Sequence, residues 1–330
     1  MNLNPLSAIY RGVVGARNTF YDHHVLRARS LQEPVISVGN LSTGGSGKTP
    51  FVILLGELLK ARGIRFDVLS RGYGRKTLGT LLVEPGGLSR DFGDEPLLIA
   101  RRLNVPVVVG ESRYEAGRFA ETKVGPQIHL LDDGFQHRSL ARDFDIVLVT
   151  PDDARDRLLP SGRLREPLRS LQRANAVVLT SGASPDAFPL AGKLVWRLRR
   201  GIVSPVGDSN ISARPVVFCG IARPQNFLLQ LRAARIDPAA HAFFRDHHAY
   251  TEKDIRDLLE LRQRSEAGGF ITTEKDAVNL GRYLTALAPL TVIPVKMELD
   301  DAANAVDTML RMIEERRRVR ERMPQRAMGQ

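Results

Sequence analysis

One octapeptide constrains this chain more than any other feature: Ser42-Thr43-Gly44-Gly45-Ser46-Gly47-Lys48-Thr49. It follows a short β-branched run, Val35–Val38, and precedes Pro50 and the apolar stretch Phe51–Leu59. Strand, glycine-rich loop and helix are the context in which the pattern G-x-x-x-x-G-K-[ST] holds phosphate. Ser42 replaces the first glycine, and the remaining positions match. Gly44, Gly45 and Gly47 let successive backbone N–H groups converge on phosphate oxygens without Cβ clashes. The helix start adds a favourable dipole. Lys48 suits the β- and γ-phosphates of a nucleotide, and the Thr49 hydroxyl suits Mg²⁺. The loop therefore predicts a nucleotide phosphate site.

Such a loop needs an acidic partner for the metal at the end of another strand. Ile128-His129-Leu130-Leu131-Asp132-Asp133 supplies one, with Asp132 the first choice and Asp133 sharing the role. An Asn-Lys-x-Asp guanine-specificity motif is absent from the sequence, which disfavours a GTPase.

Around these motifs, short apolar strands alternate with helical stretches from Val35 to Leu179. That alternation predicts an α/β fold, a parallel sheet of the P-loop NTPase type flanked by helices. The pattern weakens between Ser181 and Pro215, and a second, smaller α/β series follows from Val216. The expected division is residues 1–31 as an N-terminal amphipathic helix, 32–205 as the P-loop domain and 206–330 as a smaller C-terminal α/β domain. A single cysteine, Cys219, excludes an intramolecular disulfide and a cysteine-based metal cluster. A membrane span needs roughly 18 or more consecutive apolar residues, and the sequence has no such run. Leu6, Ile9, Tyr10, Val13 and Phe20 nevertheless recur at helical spacing among Arg11, Arg17, Arg27 and Arg29. An apolar stripe with basic flanks suits either a domain core or an anionic bilayer surface. The formal net charge is +11, and Arg311, Arg316, Arg317, Arg318, Arg320, Arg322 and Arg326 crowd the C-terminus. That run lacks aromatic interleaving, and the sequence contains none of the common nucleic-acid modules, so no nucleic-acid partner is expected.

Further motifs narrow the class. Val38-Gly39-Asn40-Leu41 precedes the loop, Ser70-Arg71-Gly72-Tyr73-Gly74-Arg75 follows the second strand, and Gly93-Asp94-Glu95-Pro96 precedes a helix. Asp132-Asp133-Gly134-Phe135-Gln136-His137-Arg138 and Leu159-Pro160-Ser161-Gly162-Arg163-Leu164-Arg165-Glu166-Pro167 come later. Together they closely resemble the tetraacyldisaccharide 4′-kinase family, the lipid A 4′-kinases of Gram-negative bacteria. That family's phosphate loop usually ends Gly-Gly-x-Gly-Lys-Thr-Pro, as here. The likeness continues through Phe244-Arg245-Asp246-His247-His248 and Thr272-Thr273-Glu274-Lys275-Asp276.

The resemblance implies transfer of the ATP γ-phosphate to the 4′-hydroxyl of a tetraacyldisaccharide 1-phosphate, with ATP and Mg²⁺ as cofactors. It implies a monotopic protein on the cytoplasmic face of the inner membrane, with peripheral contact to anionic lipid, and so favours a docking role for the first helix. It implies Asp94 as catalytic base, helped by His247 (His248 the alternate) and Lys48. Thr43, Gly44, Gly45, Ser46, Gly47, Lys48 and Thr49 would bind ATP. Thr49, Asp132, Asp133 and Glu166 would serve the metal, and Arg71, Arg113, Gln136, His137 and Arg165 the lipid substrate. Two other classes fit the phosphate loop alone: a kinase or ligase for a soluble metabolite, and a basic nucleotide-binding protein acting on nucleic acid or another protein.

Overall fold

The structure is a computed structural model, and it describes residues 5–202 and 214–322. The expected division at 205/206 and Arg326 lie outside the described residues. In chain order the first part runs α1 (Pro5–Asp22), β1 (Val35–Asn40), α2 (Lys48–Lys60), β2 (Phe66–Ser70), β3 (Leu81–Leu82) and α3 (Ser89–Phe92). It continues through α4 (Asp94–Leu103), β4 (Val107–Val109), α5 (Arg113–Lys123), β5 (Ile128–Asp132), β6 (Phe144–Val149), β7 (Ala176–Thr180) and β8 (Leu194–Ile202). The second part comprises β9 (Val216–Cys219), α6 (Pro224–Ala233), β10 (Ala240–Phe243), α7 (Glu252–Arg264), β11 (Phe270–Thr273) and α8 (Glu274–Leu280). It ends with β12 (Leu290–Ile293), β13 (Val295–Leu299) and α9 (Ala302–Arg322).

Nine strands form the larger sheet, in the order β13-β8-β7-β6-β1-β5-β2-β4-β3. All neighbours are parallel except the outermost pairs, β13 with β8 and β3 with β4. A parallel sheet must be covered on both faces, and its central strands accordingly read as continuous apolar runs. Every residue of β1 and β6 is buried. On one face Ile36 and Val38 pack with Phe51, Leu55 and Leu59 of α2, Leu97 and Ile99 of α4, and Val306 and Met309 of α9. On the other, Val35, Leu69, Val108 and Leu131 pack with Ala116 and Ala120 of α5. The loop residues Phe135, Leu158, Leu164 and Leu171 complete that second face. The smaller sheet, β10-β9-β11-β12, is wholly parallel. Phe227 and Leu231 of α6 cover one of its faces, and Ile255 and Leu258 of α7 with Leu280 of α8 the other.

Two expectations need correcting. The stretch after Ser181 holds a nine-residue strand, β8, in place of a weak pattern. Its sequence Leu-Val-Trp-Arg-Leu-Arg-Arg-Gly-Ile buries Trp196 and Leu198 and exposes the arginines between and beyond them. That alternation belongs to a half-buried strand near a sheet edge and reads poorly beside the apolar central strands. The residues from 295 onward also leave the smaller unit. Strand β13 pairs antiparallel with β8, and α9 packs its apolar face on α2. The chain thus starts and ends on the larger sheet, with the smaller one inserted before the last strand.

Gly39 of β1 sits where Phe135 crosses the sheet end. A Cβ at Gly39 would lie 2.5 Å from the Phe135 Cβ and 2.9 Å from its backbone nitrogen. Backbone cannot swing away as a side-chain tip can, so Gly39→Ala overpacks the core at a cost of about 2 kcal/mol. Urea unfolding will show a lower midpoint with an unchanged slope.

Candidate active site

The carboxyl ends of β1, β2, β4 and β5 converge with the start of α4. In open α/β sheets this edge is where ligands bind, at the point where strand order reverses about the first strand. Here β1 lies between β5 and β6, so the chain from β1 leads directly into the reversal.

The phosphate loop leaves β1 at Asn40, which is fully buried. Gly44, Gly45 and Gly47 have φ of 73°, 59° and 85°, a region that side-chain-bearing residues seldom adopt. The Thr43 amide is anchored to the Arg163 carbonyl at 2.8 Å. Lys48 and Thr49 open α2, with Thr49 and Ser46 buried. Lys48 Nζ donates to Asn40 Oδ1 at 3.1 Å and lies 3.5 Å from Asp133 Oδ1. Asp133 has a left-handed backbone, φ 50°, a conformation for which Asp is one of the better-suited residues.

Asp132 and Asp133 have different fates. Asp133 accepts a bidentate pair from Arg165, at 3.0 and 2.8 Å. Burial works to raise its pKa, but Lys48 and Arg165 outweigh that and hold its carboxyl well below the usual range. Asp132 is buried at the end of β5, and its Oδ1 has no hydrogen-bond partner. Its other oxygen meets only the Ser70 hydroxyl, at 3.4 Å. Burial, then the nearby charges of Glu95 and Asp133, push its pKa up to about 7. An orphaned buried carboxylate among other carboxylates, within electrostatic reach of the phosphate-loop Lys48, is a donor suited to a hard cation such as Mg²⁺. Among the described residues no three of His, Cys, Asp and Glu gather into a closed metal cage. A site open to waters and phosphate oxygens is what Mg²⁺ ordinarily takes.

Asp94 is the first residue of α4 and is 5% exposed. Gly93, φ 91°, precedes it, and a Cβ there would lie 3.0 Å from the Tyr73 carbonyl. The glycine lets the Ser70–Arg75 segment close against the helix start. Asp94 bonds across to the smaller sheet's side of the molecule: His247 Nδ1 is 2.9 Å from both carboxylate oxygens. Asn279 Nδ2 donates to Oδ2 at 3.2 Å, and the Glu95 amide donates to Oδ1 at 2.9 Å. Burial alone would raise the Asp94 pKa, but these bonds and Lys275 hold it below the ordinary value. His247 sits in a left-handed backbone, φ 59°. His248 turns away and pairs with Asp254 at 3.1 Å.

A cationic pocket adjoins these groups. Arg113 is 6% exposed at the start of α5, and its Nε has no partner. Burial and then the neighbouring Arg71 push its pKa down to about 10. His137 is driven down to about 4 by burial, Arg113, Arg142, Arg17 and Arg71, so its ring is neutral. A buried guanidinium with an exposed one near it favours an oxyanion.

Three expected site residues are engaged by other protein groups. Glu166 is buried, but Arg173 occupies both its oxygens at 2.9 and 3.1 Å, and Asn18 of α1 adds a bond at 2.8 Å. Through Asn18 the residue ties α1 to the domain. Arg165 is committed to Asp133 and to Asn40 Oδ1, so it braces the loop and does not face the cationic pocket. Asp133, expected to share the metal, has both oxygens engaged by cations. Gln136 lies between: its side-chain amide donates to the Asn40 backbone carbonyl at 2.9 Å, and its backbone carbonyl accepts from Arg17 at 2.7 Å. Asn40, Lys275 and Asn279 were not anticipated as site residues. Asn40 had one legible sign, a polar residue closing an apolar strand directly before the loop. Lys275 and Asn279 are four apart on α8 and so share one face.

A phosphate loop, a buried carboxylate with an open valence and a second carboxylate held at a helix start define a P-loop kinase. The family described as tetraacyldisaccharide-1-P 4′-kinase matches residues 1–314, and the chain belongs to it. A tetraacyldisaccharide 4′-kinase from Koribacter versatilis is 50% identical over 321 residues, spanning 95% of this chain and 99% of that protein. One from Aquifex aeolicus is 40% identical over 301 residues, covering 87% and 92%. The solved structure of LpxK from Aquifex aeolicus in complex with ATP superposes with a TM-score of 0.76 at 34% identity, covering 94% of this chain and 98% of that one.

Asp132 also leaves a signature in the protein without nucleotide or metal. Its carboxyl has an ordinary pKa of 3.8 and a folded one of about 7. Between these values the folded state binds more protons than the unfolded state, so stability falls as pH rises through that window. Asp132→Asn removes the liability. Its thermal midpoint will exceed that of the parent at pH 8, and the difference will vanish at pH 4.

Proposed function

We propose that this chain phosphorylates the 4′-hydroxyl of a tetraacyldisaccharide 1-phosphate with ATP, working from the cytoplasmic face of a bacterial inner membrane. Family membership supports the reaction. The observation that carries the site assignment is Asp94, buried at a helix start and held by His247, with the next residue, Glu95, close enough to act on the buried Asp132.

In this reading the amides of Gly44–Thr49 and the Lys48 ammonium cradle the nucleotide phosphates. Thr49 and Asp132 hold Mg²⁺, which supplies charge neutralisation on the phosphates when bound. Asp94 takes the proton of the sugar hydroxyl as its oxygen bonds to the γ-phosphorus. The bond from that phosphorus to the β-bridging oxygen breaks, and ADP leaves. His247 keeps the Asp94 carboxylate ionised and aimed. Arg71, Arg113 and neutral His137 form the pocket for the substrate's 1-phosphate.

An acylated acceptor needs the enzyme at the lipid surface, and α1 has the face for it. Leu6, Ile9, Val13 and Phe20 are all exposed on one side, while Ser7, Tyr10, Arg17 and Asn18 bond inward to the active-site loops. No described helix is long and apolar enough to cross a membrane, so α1 would lie in the interface.

In mixed detergent micelles with Mg²⁺, ADP release will require the tetraacyldisaccharide 1-phosphate and yield a phosphorylated lipid. Lys48→Ala will abolish it, and Asp94→Asn will lower kcat by about 10²–10⁴-fold, the range for loss of a general base. ADP release indifferent to the lipid would redirect the assignment to a soluble acceptor. Separately, Ile9→Glu with Val13→Glu will release the protein from anionic vesicles in a flotation assay. Its thermal midpoint will stay put, because both side chains already face solvent.

A further inference from the structure

Lys275, the second residue of α8, has no role in the reaction as set out above. Its ammonium nonetheless reaches the centre of the Asp94–His247 pair. Nζ lies 3.2 Å from His247 Nε2 and 3.0 Å from Asp246 Oδ1. It is also 3.8 Å from Asp94 Oδ2 and 3.8 Å from Glu95 Oε1. Its side chain is only 17% exposed.

An ammonium group donates three hydrogen bonds and accepts none. At 3.2 Å it can be the partner of His247 Nε2 only if that nitrogen carries a lone pair. The single ring proton must then sit on Nδ1, the nitrogen that faces both oxygens of Asp94. We propose that Lys275 is the positioning residue that fixes the His247 tautomer, holding the ring neutral with its proton on Nδ1 so that it always donates to Asp94. The inference deepens the reading of Asp94 as base and rests on it.

The alternative states are unfavourable for definite reasons. An imidazolium would aim an N–H at the ammonium. A neutral ring with its proton on Nε2 would do the same and would also leave a lone pair facing the Asp94 carboxylate. The surrounding charges set the balance. Burial works against a second proton on the ring and Lys275 adds to that, while Asp94 and Asp246 draw it on, so the pKa of His247 lies above its ordinary value but lower than those anions alone would set. Glu95 and Asn279 face the same cluster from α4 and α8, and the Tyr73 ring, 5.3 Å away, covers the imidazole. Lys275 itself stays charged: burial works against its charge, but Asp94, Glu95 and Asp246 raise its pKa. The cation thus secures a proton position at a stated atom without touching the acceptor sugar.

The test reads the ring directly, in the full-length protein without lipid or nucleotide. Long-range ¹H–¹⁵N correlation of His247, assigned by its loss in His247→Gln, will show protonated Nδ1 and bare Nε2 at pH 7.5. In Lys275→Met the midpoint for gaining the second proton will rise by at least one pH unit, a tenfold change in proton affinity. Lys275→Arg, which keeps a donor, will retain the Nδ1–H tautomer. In the kinase assay the acid limb of kcat/KM will move upward with that midpoint in Lys275→Met and return toward the parent in Lys275→Arg. A parent ring protonated on Nε2 overturns the proposal without need of any variant, as does an unmoved midpoint in a folded Lys275→Met protein. Because the tautomer is read without substrate, failure of the lipid kinase assay leaves this test intact and counts against the proposed function alone.

Discussion

Burial of β1 along both faces concentrates its side-chain hydrogen bonding at the residue that closes it. Asn40 is completely enclosed, yet it carries an amide, a carbonyl and a backbone carbonyl that all need partners. Its Nδ2 donates to the Ser42 carbonyl, its Oδ1 receives Lys48 and Arg165, and its backbone oxygen receives Gln136. A made hydrogen bond nets only about 1 kcal/mol, but a buried polar atom left without one costs about 1–3 kcal/mol. The asymmetry gives the loop little freedom. Ser42, Lys48, Arg165 and Gln136 are held in register around Asn40 by the protein's own bonds. Preorganisation of this kind is the principal way an active site stabilises developing charge.

From that hub the charges sort themselves by side. Asp133 takes the cations Lys48 and Arg165, and so relieves Lys48 of any need to seek the more buried Asp132. Asp132 is left with an open valence among other carboxylates, the arrangement a divalent cation suits. Arg113, with Arg71 and neutral His137 near it, is the cationic neighbour of Asp132 and Asp133, close enough to feel both carboxylates. Asp94 stands apart from both, satisfied by His247, Asn279 and the Glu95 amide, with its cations supplied from the smaller sheet. The proposed base is thus kept separate from the carboxylate proposed to hold a metal, although the two helix-start and strand-end positions are close enough for Glu95, next to Asp94, to act on Asp132.

Much of this was legible from residue order. The phosphate loop, the Asp132 strand end and the alternation of strands and helices are local patterns, set by backbone sterics and periodicity. Asp94 and His247 were placed by resemblance to a family, since a carboxylate at a helix start and one of two adjacent histidines have ordinary structural uses. The sequence hid what depends on pairing across long separations. Glu166 stands beside Arg165 in a motif, yet its partner Arg173 and the α1 residue Asn18 divert it. Asp133 matches Asp132 in type and loses its metal valence to Arg165, 32 positions on. The return of β13 to β8 links strands separated by the whole smaller sheet, and neither carries an apolar run to announce it.

Helix α1 shows how one element can answer to two environments. Its only fully buried side chain is Ser7, so apolar packing contributes little to its position. It is held by bonds to exactly the loops that shape the site: Ser7 to Ser161, Tyr10 to the Arg165 carbonyl, Arg17 to the Gln136 carbonyl and Asn18 to Glu166. At about 1 kcal/mol each, these amount to a modest grip. Inserting the outer stripe of Leu, Ile, Val and Phe into lipid would release about 1.5–3 kcal/mol per side chain, at least as much. Were the two sets on one face, bilayer and enzyme would compete for the helix. They occupy neighbouring but separate sectors of the helix, so they need not compete, and lipid contact would then reinforce the position of α1 over the segments carrying Arg165 and Gln136. Both of those residues bond to Asn40, so the helix that would meet the membrane is two hydrogen-bonded steps from the phosphate loop.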